Sequence, residues 1–211
     1  QLGAIDILVN NAGITRDTTF HRMSALQWHE VINSNLNSCY NVTRAVIEGM
    51  RTRQWGRIVQ ISSINGQKGQ YGQANYAAAN AGLDAVALDR RARGLPALSI
   101  AWGVWLGTGL VSDESGQRNV QEMQRQGIQG FSAEQGVALF DWLRGRPEPA
   151  LVVLPIDWAR YASSRGAKVA PMFRELVAAA GDVAGSGDAS SPDALAKRLY
   201  LATPAERRSL L

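Results

Sequence analysis

The chain has 211 residues, 45% hydrophobic and 19% charged, with a formal net charge of +4. This excludes a disordered chain and predicts one domain with its own core, or one domain and a tail. There is no uninterrupted apolar run of about 18 residues and no basic-then-apolar leader, so neither a membrane span nor secretion is expected, and the expected location is cytoplasmic.

In chain order, Ile5–Val9 is a β-branched apolar run stopped by Asn10-Asn11-Ala12-Gly13, which predicts a buried strand and a turn. Ser24 is placed to cap a helix whose apolar pattern continues through Cys39, Val42, Val46, Ile47 and Met50, until Gly56 stops it. Residues 57–63 read as a second buried strand and residues 64–73, rich in Gly and Gln, as a loop. An alanine-rich helix is predicted from Asn75 to Arg93, ended by Gly94-Leu95-Pro96, and a third strand from Ala97 to Trp102. Residues 103–131 hold six glycines and are long for a plain connection, so a mobile lid is expected there. Ser132 caps a helix to about Leu143, and Leu151–Leu154 is a fourth strand.

Strands alternating with helices predict an α/β fold, a partial Rossmann-like doubly wound parallel sheet. The composition changes near residue 180, which sets the expected organisation. Residues 1–179 form the folded portion, 180–192 a flexible linker and 193–211, opened by Pro192, a helical tail.

Cys39 is the sole cysteine, which excludes an intramolecular disulfide and a cysteine-built zinc site. His21 and His29 flank a helix start and are expected to be exposed, so no metal site is predicted. Cys39 itself is expected in the core. The arginines come in scattered pairs, such as Arg90 and Arg91, which read as solvated helix faces and not as a nucleic-acid patch. Trp28 and Trp55 are expected to pack helix ends, and Trp142 and Trp158 to lie in the core. Trp102 and Trp105 border the expected pocket.

The chemistry begins with Ser63, Asn75, Tyr76 and Asn80. Ser63 ends a predicted strand, and Tyr76 lies thirteen residues on at a helix start. A strand, a loop and a returning helix bring two such hydroxyls together at the carboxyl edge of a parallel sheet, where open α/β folds bind ligands. A phenol beside a serine hydroxyl suits proton donation to a carbonyl oxygen.

Several ordered motifs carry a resemblance. They are Asn10-Asn11-Ala12-Gly13, Asn35-Leu36, Ser62-Ser63 and Tyr76-Ala77-Ala78-Ala79-Asn80-Ala81. Together they resemble the short-chain dehydrogenase/reductase family. Residues 1–83, with Ile64–Gln70, are most similar to acetoacetyl-CoA and β-ketoacyl carrier-protein reductases. Residues 75–176, with Arg90–Ala97, Ser99–Trp105 and Leu154–Trp158, resemble the ketoreductase domain of modular type I polyketide synthases. The tail, with Pro204–Arg208, is similar to the segment leading into an acyl carrier domain.

The resemblance implies catalytic roles for Ser63, Tyr76, Asn80 and Asn35, with Tyr76 as proton donor and Ser63 as second carbonyl partner. It implies that Asn11, Ala12, Gly13, Tyr76, Asn80, Gly103 and Val104 meet the cofactor. The implied cofactor is NADPH and the implied reaction is reduction of a β-ketoacyl thioester, on a carrier protein or CoA, to the β-hydroxyacyl product. Neighbouring synthase domains are the implied partners, and the helices over 24–52 and 75–93 are an implied homo-oligomer face.

Two departures stand against that pattern. Most of the family has lysine four residues after the tyrosine, and polyketide ketoreductases have it at the position of Asn35. This chain has asparagine at both, and its lysines are Lys68, Lys168 and Lys197. Lys68, in the loop between Ser63 and Tyr76, is the one candidate to reach inward. No GxGxxG-like turn before a helix occurs, so the first βαβαβ portion of the nucleotide fold is expected to be missing. Its absence is expected to leave an apolar sheet edge. The alternative function is therefore a catalytically inactive ketoreductase-like structural segment or fragment.

Overall fold

The computed structural model describes residues 3–107 and 114–181. These divide into two compact units. The first takes the residues up to Trp102 together with Glu148–Leu151, and the second takes the described residues of Gly103–Pro147 and from Val152 onward.

The first unit is built on strands β1 (Ile7–Asn10), β2 (Arg57–Ser63) and β3 (Leu98–Trp102). β1 pairs with β2 and β2 with β3, both in parallel. The register places Asn10 beside Gln60 and Ser63 beside Trp102. The sheet order is β1-β2-β3-β6, where β6 is Ala150–Val153 and its first two residues belong to this unit. β3 is buried along its whole length, as a central parallel strand should be.

β1 departs from the buried strand that its sequence predicts. It forms the sheet edge, and Ile7 and Val9, two residues apart and so on one face, are 54% and 43% exposed. Ile5 continues the same exposed stripe. Apolar periodicity reports which residues suit burial, but burial itself needs a neighbour, and among the described residues none covers this face.

Helix α1 (Ala25–Ile32) starts with a complete capping box. Ser24 accepts from the Gln27 backbone N–H, and the Gln27 side chain accepts from Ser24 N–H at 2.9 Å. The predicted continuous helix is interrupted by a π-turn over Asn33–Asn37 before α2 (Ser38–Thr52). The run Asn33-Ser34-Asn35-Leu36-Asn37 is poor in strong helix formers, so the ladder loosens there. Cys39 is buried as expected, and burial pushes its thiol pKa up. His21 and His29 are exposed, also as expected.

The predicted loop after β2 contains a short helix, α3 (Asn65–Lys68). Helix α4 (Ala74–Ala92) packs Ala79, Leu83 and Ala87 into the core with Val59 and Ile100 of the sheet. It ends at Gly94, whose φ of +73° lets Leu95 N–H reach back to Arg90 O at 2.9 Å.

In the second unit, β4 (Val104–Trp105) pairs in parallel with β5 (Gly130–Phe131). Between them lies α5 (Glu114–Arg125), so the region expected to be a lid contains a helix and two strands. Residues 108–113 of it lie outside the described residues. Ser132 caps α6 (Ala133–Leu143) with a second capping box, as predicted. Helices α7 (Trp158–Arg165) and α8 (Arg174–Gly181) follow, and Trp158, Tyr161 and Phe173 form an edge-to-face cluster with centroids 5.6–6.1 Å apart. Trp142 is 39% exposed with the Arg146 guanidinium 4.8 Å above its ring, so it is a surface residue and not core as predicted. α8 runs through Gly181, and the rest of the expected linker and the helical tail over 193–211 lie outside the described residues.

No helix among the described residues is long and apolar enough to cross a membrane. Nor do three His, Cys, Asp or Glu side chains among them gather into a metal site.

Candidate active site

Ser63 is the last residue of β2, at the carboxyl edge of the parallel sheet. Tyr76 lies in the first turn of α4. The structure brings the two into one neighbourhood, where the side chains of Ser63 and Asn80 are the polar groups acting on the buried Tyr76 phenol. Burial is the dominant influence on that phenol and pushes its pKa above the usual 10. The side chains of Ser63 and Asn80 pull it down by less, and the nearby Asp17 carboxylate adds to the rise. Among the described residues, the charge acting on Tyr76 is therefore an anion.

The start of α4 is fixed by Asn75, which is fully buried. Its Nδ2 donates to Arg16 O at 3.4 Å and Gln27 O at 3.1 Å, and its Oδ1 accepts from Tyr76 N–H at 2.8 Å. A single asparagine thus ties the tyrosine's own backbone to two other segments. Gln73 adds a second tie that the sequence did not reveal. Its Nε2 donates to Asp17 Oδ2 at 2.8 Å, and its Oε1 accepts from Asn65 Nδ2 at 2.9 Å. Thr18 N–H donates to Gly72 O at 2.9 Å alongside. The segments on either side of Tyr76 are thereby held to one another.

Asn80 is buried one helical turn beyond Tyr76. Its Nδ2 donates to Tyr76 O at 2.8 Å, and its own carbonyl accepts from Ser62 Oγ at 3.2 Å. Asn35 lies in the π-turn and spends its side chain on the Ile14 backbone, accepting from the N–H at 2.9 Å and donating to the C=O at 3.0 Å. It anchors the segment that follows Asn11, Ala12 and Gly13. Those three residues are exposed at the carboxyl end of β1. Lys68 Nζ donates to Gln70 Oε1 at 2.7 Å and Gly69 O at 3.3 Å.

Gly103 and Val104 follow Trp102 in sequence and belong to the second unit. Gly103 N–H donates to Val153 O at 2.8 Å, and a Cβ there would meet Leu154 Cδ1 at 2.5 Å, so a larger residue would have to push the Leu154 side chain aside. Val104 pairs with Gly130. Trp102 is buried in the first unit, and the Trp105 ring packs on Gly136 and Phe131 in the second.

The sheet and the Ser–Tyr pair at its carboxyl edge define the class first: an α/β chain with the layout of the ketoreductase Rossmann-like folds. Residues 1–95 match the short chain dehydrogenase family. Among individual proteins, the acetoacetyl-CoA reductase of Shinella zoogloeoides is 54% identical over 115 residues, 53% of this chain and 47% of that protein. The spectinabilin polyketide synthase system protein NorB of Streptomyces orinoci is 36% identical over 205 residues, 95% of this chain and 9% of that protein. A solved A1-type ketoreductase superposes with a TM-score of 0.65 at 26% identity, over 75% of this chain and 32% of that one. The chain spans about half the length, or less, of the curated relatives it matches. The likeness expected from the motifs holds, including its two branches.

Proposed function

We propose that this chain carries the carbonyl-reducing site of an NADPH-dependent ketoreductase that converts a β-ketoacyl thioester to its β-hydroxyacyl product. The proposed setting is a type I polyketide synthase module. The carrying observation is the placement of Ser63 at the carboxyl end of β2 beside the buried Tyr76 phenol in the first turn of α4. NorB's likeness along 95% of this chain supports the synthase setting, and the reductase relatives support an acyl-thioester substrate.

In this reading, Ser63 holds the carbonyl oxygen and Tyr76 gives it a proton. The residues fit the nicotinamide part of the cofactor in one observed respect. The exposed stretch Asn11-Ala12-Gly13 leads directly to the Ile14 backbone that Asn35 fixes, which makes a firm, open rim at the end of β1. Asn11, Ala12, Gly13, Tyr76 and Asn80 would hold the cofactor there. When bound, NADPH supplies the hydride. The Tyr76 proton is held tightly, since burial and Asp17 both favour the neutral phenol. Proton donation is therefore slower than with a neighbouring cation.

That same feature favours the second reading, a ketoreductase-like structural segment without turnover. One assay separates them. The 211-residue chain is mixed with NADPH and acetoacetyl-CoA, and absorbance at the nicotinamide band is followed for the native chain and for Tyr76→Phe. Turnover that vanishes in Tyr76→Phe supports the reductase. Turnover unchanged in Tyr76→Phe overturns the role of Tyr76, and none in the native chain favours the structural reading.

A further inference from the structure

Tyr76, Asn80 and Asp84 are spaced by four along α4, so they lie on one face of the helix. The third of them is a carboxylate only 5% exposed. Burying a carboxylate costs several kcal/mol unless strong hydrogen bonds repay it. Two donors do so here, and each comes from a different element. Ser99 Oγ, fully buried on β3, donates to Asp84 Oδ1 at 2.6 Å. Gln67 Nε2, on α3, donates to Asp84 Oδ2 at 3.0 Å.

The position of α3 gives the Gln67 bond its consequence. α3 starts two residues after Ser63, and Ser63 Oγ accepts from Asn65 N–H at 3.2 Å, so the helix and the serine are one local unit. Gly66 lets α3 approach α4 without a side chain between them. A Cβ there would lie 2.8 Å from both Ala81 N and Asn80 Cβ. The close approach at Gly66 and the Gln67–Asp84 bond are successive contacts of the same pair of helices. Ser99 then fixes Asp84 to the strand beside β2.

We propose that Asp84 is a positioning residue that holds Ser63 against Tyr76 by clamping α3, through Gln67, onto α4. The inference rests on reading Ser63 and Tyr76 as the proton-donating pair. It assigns Asp84 no contact with substrate or cofactor. A shift of about 1 Å in such a pair is enough to cost on the order of 100-fold in rate. Gln67 Oε1 is buried and has no hydrogen-bond partner. If Asp84 is replaced by Asn, a turn of the Gln67 amide presents that oxygen to the new N–H₂, and the clamp survives without its charge.

The test reads the Ser63–Tyr76 contact directly, without turnover. The 211-residue chain is labelled with ¹³Cζ-tyrosine, and the Tyr76 resonance is assigned by its loss in Tyr76→Phe. In the native chain, Ser63→Ala is expected to move that resonance, because it removes a polar group that acts on the phenol. In an Asp84→Ala background the same Ser63→Ala change is expected to move it little or not at all, and Asp84→Asn is expected to restore the full response. Gln67→Ala cuts the tie to α3 and leaves the buried carboxylate with Ser99, so it gives the same reading if Asp84→Ala fails to fold.

An equal response in the native, Asp84→Ala and Gln67→Ala backgrounds would overturn the proposal, as would no response in the native chain. Where the chain turns over, Gln67→Ala is expected to lower kcat by on the order of 10-fold or more, with KM little changed. If the reductase reading fails, the native chain shows no turnover while the resonance still reports on the clamp.

Discussion

Helix α4 and strand β1 belong to the same unit and depart from the usual apolar-inside pattern in opposite senses. α4 turns Asn75, Asn80 and Asp84 into the interior, and each is matched by named donors or acceptors. β1 turns Ile5, Ile7 and Val9 outward with no cover among the described residues. The buried polar groups are costly, so each fixes its neighbours within the hydrogen-bonding range of about 2.6–3.4 Å seen here. The exposed apolar stripe fixes nothing, because dispersion and burial act only between surfaces that meet. Geometry is therefore tightly specified around Tyr76 and loosely specified along β1, and the candidate chemistry lies where it is tight.

Substitutions sharpen that contrast, and the most severe strikes the tight region. Tyr76→Phe removes the proposed proton donor and is expected to lower turnover by about 10²- to 10⁴-fold in the thioester assay. Ser99→Ala leaves Asp84 short of a donor in a buried place. Its expected cost is about 1–3 kcal/mol, measured by denaturant unfolding.

Asn80→Lys puts a cation beside the phenol. It is expected to favour the phenolate, raise kcat by on the order of 10-fold, and move the alkaline limb of the pH–rate profile downward. The sign follows because the donor must be protonated, and its native pKa lies above 10. Asn35→Lys is the poorer choice, since it breaks both bonds to the Ile14 backbone. On the loose side, Ile7→Lys is expected to change stability by no more than about 0.5 kcal/mol in the same unfolding experiment. A much larger loss would show that β1's exposed face is specified after all.

Much of the first unit was legible in the sequence because its signals are local. β2, β3, the Ser24 cap and the Gly94 stop each depend on a few adjacent residues, as does the Ser132 cap in the second unit. The Ser63–Tyr76 pair was legible from strand-loop-helix logic together with the family motifs. The burial of β1 was misread because the pattern reports preference and not neighbours. The π-turn at Asn35 was missed because the apolar pattern runs on through it, and the bonds of Asn35 to the Ile14 backbone join residues distant in sequence. Asp84 carried one visible signal, a charge two turns after Tyr76 on the helix face that carries Leu83 and Ala87 inward. Its partners, Gln67 and Ser99, come from separate elements and only the fold joins them. In the second unit, α5, α7 and α8 were missed since glycine content argued for a loop and short helices leave a weak period.

The proposed nicotinamide-dependent reducing site around Tyr76 depends on cofactor binding by this chain. A calorimetric titration of the 211-residue chain with NADPH tests it most directly. Saturable binding with a micromolar dissociation constant, weakened by Asn80→Ala, is the expected result. No heat of binding up to millimolar cofactor would contradict it and leave the Ser63–Tyr76 pair as structure without reductase chemistry.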